Sequence, residues 1–500
     1  MLVAYLPAFL LLPVVLAPPL NHDVAAILDF TQRWIGGEAL YARLLDPNPP
    51  LIFLLNLLPT YLGTYTGLDA VVALQGCVLL LGAVVWWLAS RVRRLSDEGS
   101  IERHFLDVAP VFVLLGAGYD FGQREHLMAL GALPYLFLSA RRARGEPGAH
   151  RFAVAILAAV VFALKPYFLG VPALVELYVL LSLGWRPYLR DPVPWVMAAV
   201  WVTYLGSLPI LFPDYLKVVL PLISSNYLGG TIWETVLQPR MAIALVLLIP
   251  LVWIAFLGRD ALVKISALAA VAATVSALMQ RKGWSYHIVP IELFGCVLAG
   301  TLAARWLDLR HSARRKDPQL MAAGLSMLCV LFVVSSGEAP WRELGFRNAD
   351  EQTELKALLV QSARNERVLV LSPRIWPVYP ALNYVHAHQT LPSMSLWVLQ
   401  GAYRECLPGG RQYRELGEMG LAERTLFQTV VREFAADPPK VVAIDQIPGM
   451  PNCGQDFDLL AYFKRDPGFA STWSRYAFYA ESSGLDLFRL VDGPVRQPAR

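Results

Sequence analysis

The chain has 500 residues, 56% of them hydrophobic and only 16% charged, with a mean hydropathy of +0.46 and a formal net charge of +4. Soluble proteins carry about 25% charged residues, so the composition excludes an ordinary soluble enzyme and predicts an integral membrane protein. The small net charge gives no basis for a nucleic-acid partner, and cytoplasmic loops account for the arginines.

The chain opens with Met1 and an apolar run to Leu20. It has no basic leading region and no A-x-A site, so it reads as a signal anchor rather than a cleaved signal peptide. A span needs about 20 mostly apolar residues, fewer where its ends are buried in protein. Spans are predicted at 2–20, 68–90, 103–118, 126–140, 152–164, 167–184, 192–212, 238–257, 262–279, 286–304 and 318–336, about eleven in all. Every second tether is basic: Arg91-Val92-Arg93-Arg94; Arg141, Arg142, Arg144 and Arg151; Arg186 and Arg190; Arg259 and Lys264; and residues 305–316. The positive-inside rule places these in the cytoplasm. The N-terminus is then cytoplasmic, and an odd number of spans puts the C-terminal part outside. The expected location is the cell inner (plasma) membrane, multi-pass.

The first outer tether is the richest. It opens Asn21-His22-Asp23, followed by a helix with Ala26, Ile27, Phe30 and Trp34 on one face. Gly36-Gly37 is expected to stop that helix. Asp23 is a candidate catalytic carboxylate; the competing reading makes it the N-cap of the helix. Asp29, with Arg33 four residues on, reads as a routine helical ion pair. Asp46 is a second candidate carboxylate, beside the rigid turn Pro47-Asn48-Pro49-Pro50-Leu51. Residues 49–63 are apolar but short and proline-rich, and a span there would put the RVRR tether outside. They are predicted to form a juxtamembrane helix in the outer leaflet; the competing reading is an ordinary span with inverted topology.

The second outer tether sets Asp120, Gln123, Arg124, Glu125 and His126 between two apolar spans with almost no loop. The planar donor fork of Arg124 suits a phosphate or a carboxylate. The competing reading is a solvated turn with an Arg–Glu pair. Lys165-Pro166-Tyr167 joins two short spans. A lysine near the bilayer core costs about 2.5–3.5 kcal/mol, so Lys165 is expected to have a partner or a function unless it snorkels to the interface. Residues 212–240, with Asn226, Tyr227 and Glu234, suit lipid or acceptor contact. Residues 280–287 add Arg281, Lys282, Trp284, Tyr286 and His287; the aromatic pair also fits a plain interfacial belt.

From about Ser335 the composition changes. Residues 367–372 and Val441–Asp445 read as short buried strands. Residues 348–364 read as an amphipathic helix capped by Asn348 or Asp350. The expected domains are therefore a membrane catalytic part, 1–336, and an extracytoplasmic soluble α/β domain, 337–500, large enough for its own core. No G-x-G-x-x-G follows a strand and no P-loop occurs, so nothing binds a nucleotide by the glycine-rich route. Cys77, Cys296 and Cys329 lie in apolar segments as small core residues. Cys406 and Cys453 either pair in an oxidising compartment or stay as two thiols. The cysteines show no zinc-type spacing, and no internal repeat is evident.

Taken together, the outer tethers offer Asp23 and Asp46 as catalytic candidates. Candidates for substrate binding are Asp120, Arg124, Glu125, His126, Lys165, Tyr167, Lys282 and His287. A carboxylate acts as general base toward a hydroxyl, worth about 10²–10⁴-fold in rate. Cations hold a phosphate and stabilise charge developing on it. This pairing suits transfer from a phosphate-linked lipid carrier, with all these groups expected in one extracytoplasmic chamber.

Three elements occur in order: Asp23 directly after the first span, the G-x-x-x-Y element from Gly37 to Tyr41, and Pro49-Pro50-Leu51 before a juxtamembrane helix. With them, residues 1–336 resemble the GT-C type membrane glycosyltransferases, which include protein O-mannosyltransferases and aminoarabinose transferases acting on lipid A. The resemblance implies a polytopic α-helical fold and inverting transfer of a sugar from a polyprenyl-phosphate donor to an extracytoplasmic acceptor hydroxyl, with Asp23 as base. The acceptor would be an envelope glycan, lipid or protein, and membrane lipid surrounds the chain. Family members usually carry Lys or His immediately before PPL; Asn48 stands there in this chain, so that cation is missing. No cofactor is expected to be obligatory, although a divalent cation would find oxygen ligands on Asp23 and Asp46. The competing function is a transporter or flippase of a lipid-linked sugar, which would place its ionisable groups at the bilayer midplane on broken helices of repeated halves. A third is a non-catalytic scaffold of an envelope-assembly complex.

Overall fold

The computed structural model describes residues 2–93, 98–146, 148–227, 229–311, 317–337, 339–343 and 351–491. Its helices in chain order are α1 (Leu6–Leu16), α2 (His22–Ile35), α3 (Pro50–Thr66), α4 (Ala70–Val92), α5 (Ser100–Gly116), α6 (Arg124–Ala143), α7 (Arg151–Phe162), α8 (Gly170–Leu183), α9 (Trp185–Arg190), α10 (Pro192–Leu211), α11 (Leu220–Asn226), α12 (Ile232–Val236), α13 (Pro239–Leu257), α14 (Ala261–Gln280), α15 (Ser285–His311) and α16 (Pro318–Ser336). Local chemistry fixes many of the starts. Pro50, Pro192, Pro239 and Pro318 open four of them, at the position where a missing N–H is harmless. The Asp69, Asp260 and Asp317 side chains accept from the first free N–H groups of α4, α14 and α16, which is N-capping.

All eleven predicted spans are helical, but only seven helices among the described residues are long and apolar enough to cross a membrane: α4, α8 with its preceding turn, α10, α13, α14, α15 and α16. Two of the others, Val3–Leu16 and Arg151–Phe162, are apolar but shorter. The remaining two carry charge at their ends. Glu102, Arg103 and Asp107 sit in the first turns of α5, while α6 holds Arg124 and Glu125 at one end and Arg141 and Arg142 at the other.

The chain forms two compact units. The first contains Met1–Pro18, Tyr61–Ser207 and Gly229–Leu344. It is a helical bundle with α15 inside: 78% of its apolar window is buried, against 17% for α10. Close helix approach relies on glycines, as in other membrane bundles. Gly300 of α15 lies under the ring of Phe105 on α5, and Gly116 of α5 lies under Leu293.

The second unit gathers Pro19–Thr60, Leu208–Leu228 and Gly345–Arg500. Its sheet has the order β2-β1-β3-β5-β4, with β1 (Arg367–Leu371), β2 (His388–Gln389), β3 (Val441–Asp445), β4 (Tyr476–Ser482) and β5 (Leu485–Leu490). β2, β1 and β3 run parallel; β5 and β4 are antiparallel. β1 and β3 are the two predicted strands, and their continuous apolar runs fit burial on both faces. A helix spans Glu351–Ser362 inside the predicted one; the proposed caps Asn348 and Asp350 lie outside the described residues, as do Arg94 and 312–316 of the basic tethers. The core joins Trp397, Phe427, Tyr462 and Trp473 with Leu45 and Leu222 from the two outer tethers. Cys406 and Cys453 are disulfide-bonded, which settles the choice the sequence left open.

Candidate functional site

In the first unit the site begins at the tether between α5 and α6. A tight turn, Gly118–Asp120, and Gly122 in the left-handed region (φ +87°) reverse the chain. The Gly122 N–H donates to His126 Nδ1 at 3.0 Å, so His126 pins the turn that delivers Arg124 and Glu125 to the first turn of α6. The solvated-turn reading fails here: Asp120, Gln123, Arg124, Glu125 and His126 are all buried, none more than 6% exposed. The Arg–Glu pair is replaced as well, because Glu125 takes a lysine instead.

That lysine is Lys165. It sits in extended backbone between α7 and the turn Pro166–Leu169. Its Nζ lies 2.5 Å from Glu125 Oε1 and 3.3 Å from Gln280 Oε1 at the end of α14. The ammonium also lies 5.2 Å from the centre of the Tyr286 ring. It is therefore a buried, paired cation and does not snorkel. His287 Nε2 stands 3.7 Å from the same Glu125 oxygen. Glu125 Oε2 and both ring nitrogens of His287 are buried without a hydrogen bond among the described residues.

The 280–287 tether turns through Arg281 (φ +51°) and Gly283 (φ +59°) and starts α15. Lys282 Nζ lies 4.4 Å from the centre of the Trp284 ring. Trp284 and Tyr286 both pack on the His287 imidazole, at 5.6 and 4.5 Å between ring centres. The aromatic pair thus frames the site and is more than an interfacial belt. Arg124, Lys165 and Lys282 are the charges acting on His287. Against them stand Glu125 and Asp120, buried on the same tether. The N-terminal turn of α6 adds partial positive charge. Such a place attracts an anion. Tyr167, 39% exposed, is not drawn into this buried group.

An ion pair beside this cluster escaped the sequence reading. Arg240, opening α13, grips Glu292 with Nε at 3.1 Å and Nη2 at 2.6 Å, and donates to the Ser285 carbonyl at 3.0 Å. Ser336 of α16 donates to Glu292 at 2.7 Å. Together they hold the start of α15 on which His287 rides. A lone carboxylate inside a predicted span was the available signal.

In the second unit Asn21, not Asp23, caps α2: its side chain accepts from the Asp23 N–H at 3.0 Å. The Asp23 carboxylate is 17% exposed and lies 3.9 Å from His22 Nε2. Asp29 and Arg33 do not form the expected pair. Arg33 grips Glu38 with two hydrogen bonds of 2.9 and 2.8 Å and donates to the Leu391 carbonyl. Asp29 accepts from the Tyr379 hydroxyl at 2.8 Å. Burial pushes its carboxyl pKa up, against the charge of Arg33 and the tyrosine hydrogen bond. Asp46 is fully buried, and its Oδ1 accepts from the Asn48 N–H at 2.7 Å. The Tyr41 hydroxyl donates to the Asn48 carbonyl at 2.6 Å. Asn48 is thereby held at both backbone groups just before the proline pair.

Asp23 and Asp46 thus belong to the second unit, and Asp120, Arg124, Glu125, His126, Lys165, Tyr167, Lys282 and His287 to the first. No group of three or more His, Cys, Asp or Glu side chains is arranged to hold a metal ion among the described residues.

No protein-family model matches the chain, and no curated protein matches it. Among solved structures, the archaeal oligosaccharyltransferase AglB from Archaeoglobus fulgidus, in complex with an inhibitory peptide and a dolichol-phosphate, is similar to it at 11% identity and a TM-score of 0.42, over 98% of this chain and 74% of that one.

Proposed function

We propose that this chain is a membrane glycosyltransferase of the GT-C type, moving a sugar from a polyprenyl-phosphate donor to an acceptor hydroxyl outside the cytoplasm, with inversion. The observation that carries the proposal is the buried gathering of Arg124, Lys165 and His287 around Glu125 within a bundle of apolar helices. A phosphate attached to a long apolar chain is the ligand that such surroundings suit. Arg124 and Lys165 hold that phosphate, with Lys282 beside them. Glu125 and His126 position the lysine and the turn. The open nitrogens of His287 serve as a hydrogen-bonding partner for the donor. Losing one preorganised donor of this kind raises a barrier by about 2.7–4 kcal/mol.

In the reaction, Asp23 takes the proton of the acceptor hydroxyl. The hydroxyl oxygen bonds to the anomeric carbon as the bond from that carbon to the phosphate oxygen breaks. The electron pair leaves with polyprenyl phosphate, whose charge Arg124 and Lys165 meet. Two observations support Asp23: Asn21 has taken over the capping role, and the carboxylate keeps access to solvent. Asp46 acts by holding the turn before Pro49-Pro50-Leu51. Because these side chains supply the charge, no metal is proposed as obligatory. The Cys406–Cys453 disulfide supports an extracytoplasmic second unit, since such bonds persist in oxidising compartments.

The test is a thin-layer assay of purified protein with radiolabelled polyprenyl-phosphate sugars, run with and without a chelator. Asp23→Asn should lower transfer by about 10²–10⁴-fold with its thermal unfolding unchanged. Full activity in that variant, or flux across vesicles without a covalent product, overturns the proposal.

A further inference from the structure

A cavity of about 210 Å³ lies where the end of α6, the starts of α7 and α10, the end of α8 and the short helix α9 meet. α8 and α10 are two of the helices long and apolar enough to cross a membrane. A cavity at their shared ends therefore sits at the boundary between bilayer and water.

Its wall is charged in an uneven way. Arg142 is fully engaged, with Glu176 at 2.6 and 2.9 Å and with Asp191. Asp191 also accepts from the Val193 N–H that starts α10, at 3.1 Å. Glu146 pairs with Arg141 at 3.4 Å. Arg142 thus faces two carboxylates and Arg141 one, so with Arg151 and Arg190 the four guanidiniums outnumber the three carboxylates by one. Arg151 and Arg190, which also line the cavity, are exposed. Neither has a carboxylate in ion-pair range among the described residues; Arg151 only lies over its neighbour Phe152, at 5.6 Å from the ring centre.

The surroundings are those of a lipid site. Trp185, Trp195 and Phe152 are 62%, 56% and 54% exposed, and Leu189 is exposed beside them. Tryptophans at this level are interfacial anchors. Two guanidiniums with unused donor forks suit a phosphodiester, and the exposed apolar side chains suit the acyl chains attached to it. We propose that this cavity binds the headgroup of an anionic phospholipid of the surrounding leaflet. Basic pockets between membrane helices bind headgroups in this manner. The site is independent of the transferase reading, and none of its residues belongs to the cluster around Glu125.

The test uses the full-length protein in mixed micelles of phosphatidylglycerol and phosphatidylcholine, with retained lipid counted by native mass spectrometry. The parent should keep phosphatidylglycerol in preference to phosphatidylcholine. Each arginine should contribute about fivefold, so the pair Arg151→Ala and Arg190→Ala should lower retention by about 25-fold. Arg186→Ala removes an equal charge from an exposed arginine that does not line the cavity, and should leave retention unchanged. The pair Arg151→Lys and Arg190→Lys should restore most of it and shows that the fold survives. Equal retention of the two lipids by the parent, no loss in the double alanine variant, equal loss in Arg186→Ala, or displacement of the lipid by excess inorganic phosphate overturns the proposal.

Discussion

Lys165 was readable as a buried cation in need of a partner, because an unpaired ammonium in an apolar bundle is too costly to keep. Its partner was not readable, since Glu125 lies 40 residues away and only helix packing brings the two together. The pair makes a clear expectation. Lys165→Met leaves Glu125 buried and uncompensated, which should lower stability by about 3–5 kcal/mol. Adding Glu125→Gln to it should recover much of the loss in thermal unfolding, although transfer stays impaired in both. Asp29 was misread for a related reason. Helical spacing allows an ion pair with Arg33, but Glu38 and Tyr379 offer each partner a better-placed contact. Burial raises the Asp29 pKa, so between its unfolded and folded values the folded state holds a proton that the unfolded state has lost. Its contribution is complete below the ordinary carboxylate range and fades as pH rises through the raised value. Asp29→Asn does not titrate, so its stability relative to the parent should improve as pH increases. A series of unfolding midpoints against pH for both proteins checks the sign.

Hydropathy located the long helices of the bundle but neither the short α9 and α12 nor the relation of the helices to one another. Apolar length is a local property and survives in the sequence; α5 and α6 blur it because their end turns carry the charges that build ion pairs and the candidate site. Glycine is where packing becomes visible. A β-carbon at Gly300 would fall 2.0 Å from Phe105 Cζ, and Phe105 is fully enclosed. Gly300→Ala should therefore push α15 from α5 and lower stability by about 1–3 kcal/mol, read as a fall in the detergent-solubilised unfolding midpoint. Gly295→Ala, on the same helix with open space around the new carbon, is the control. In the second unit, β1 and β3 stood out because both of their faces are buried. β4 did not, since its exposure is mixed and a bulge interrupts its pairing with β5, while β2 has only two residues.

The change of composition near Ser335 marks where the apolar helices end. It does not mark which segments share a core. Leu45 and Leu222, far earlier in the chain than the sheet whose core they share, are buried with Leu369 and Trp397, and the Leu45 N–H donates to the Pro392 carbonyl at 2.6 Å. Such contacts leave no trace in local composition or period. The C-terminal fragment 345–500 expressed alone therefore lacks part of its interior. It should show a weaker and less cooperative unfolding transition than the same fragment within the whole chain, as followed by circular dichroism.

That shared interior also sets a timetable for biogenesis. The segment 19–60 emerges early from the ribosome, but the sheet residues that share the core of Leu45 come more than 300 residues later, on the order of tens of seconds at ordinary rates of synthesis. Throughout that interval the tether must wait with its apolar side chains uncovered, at the mercy of proteases and of neighbouring nascent chains. A premature stop codon anywhere before β3 would strand it there permanently, so truncated products should be cleared by quality control even when every candidate catalytic residue has already been made.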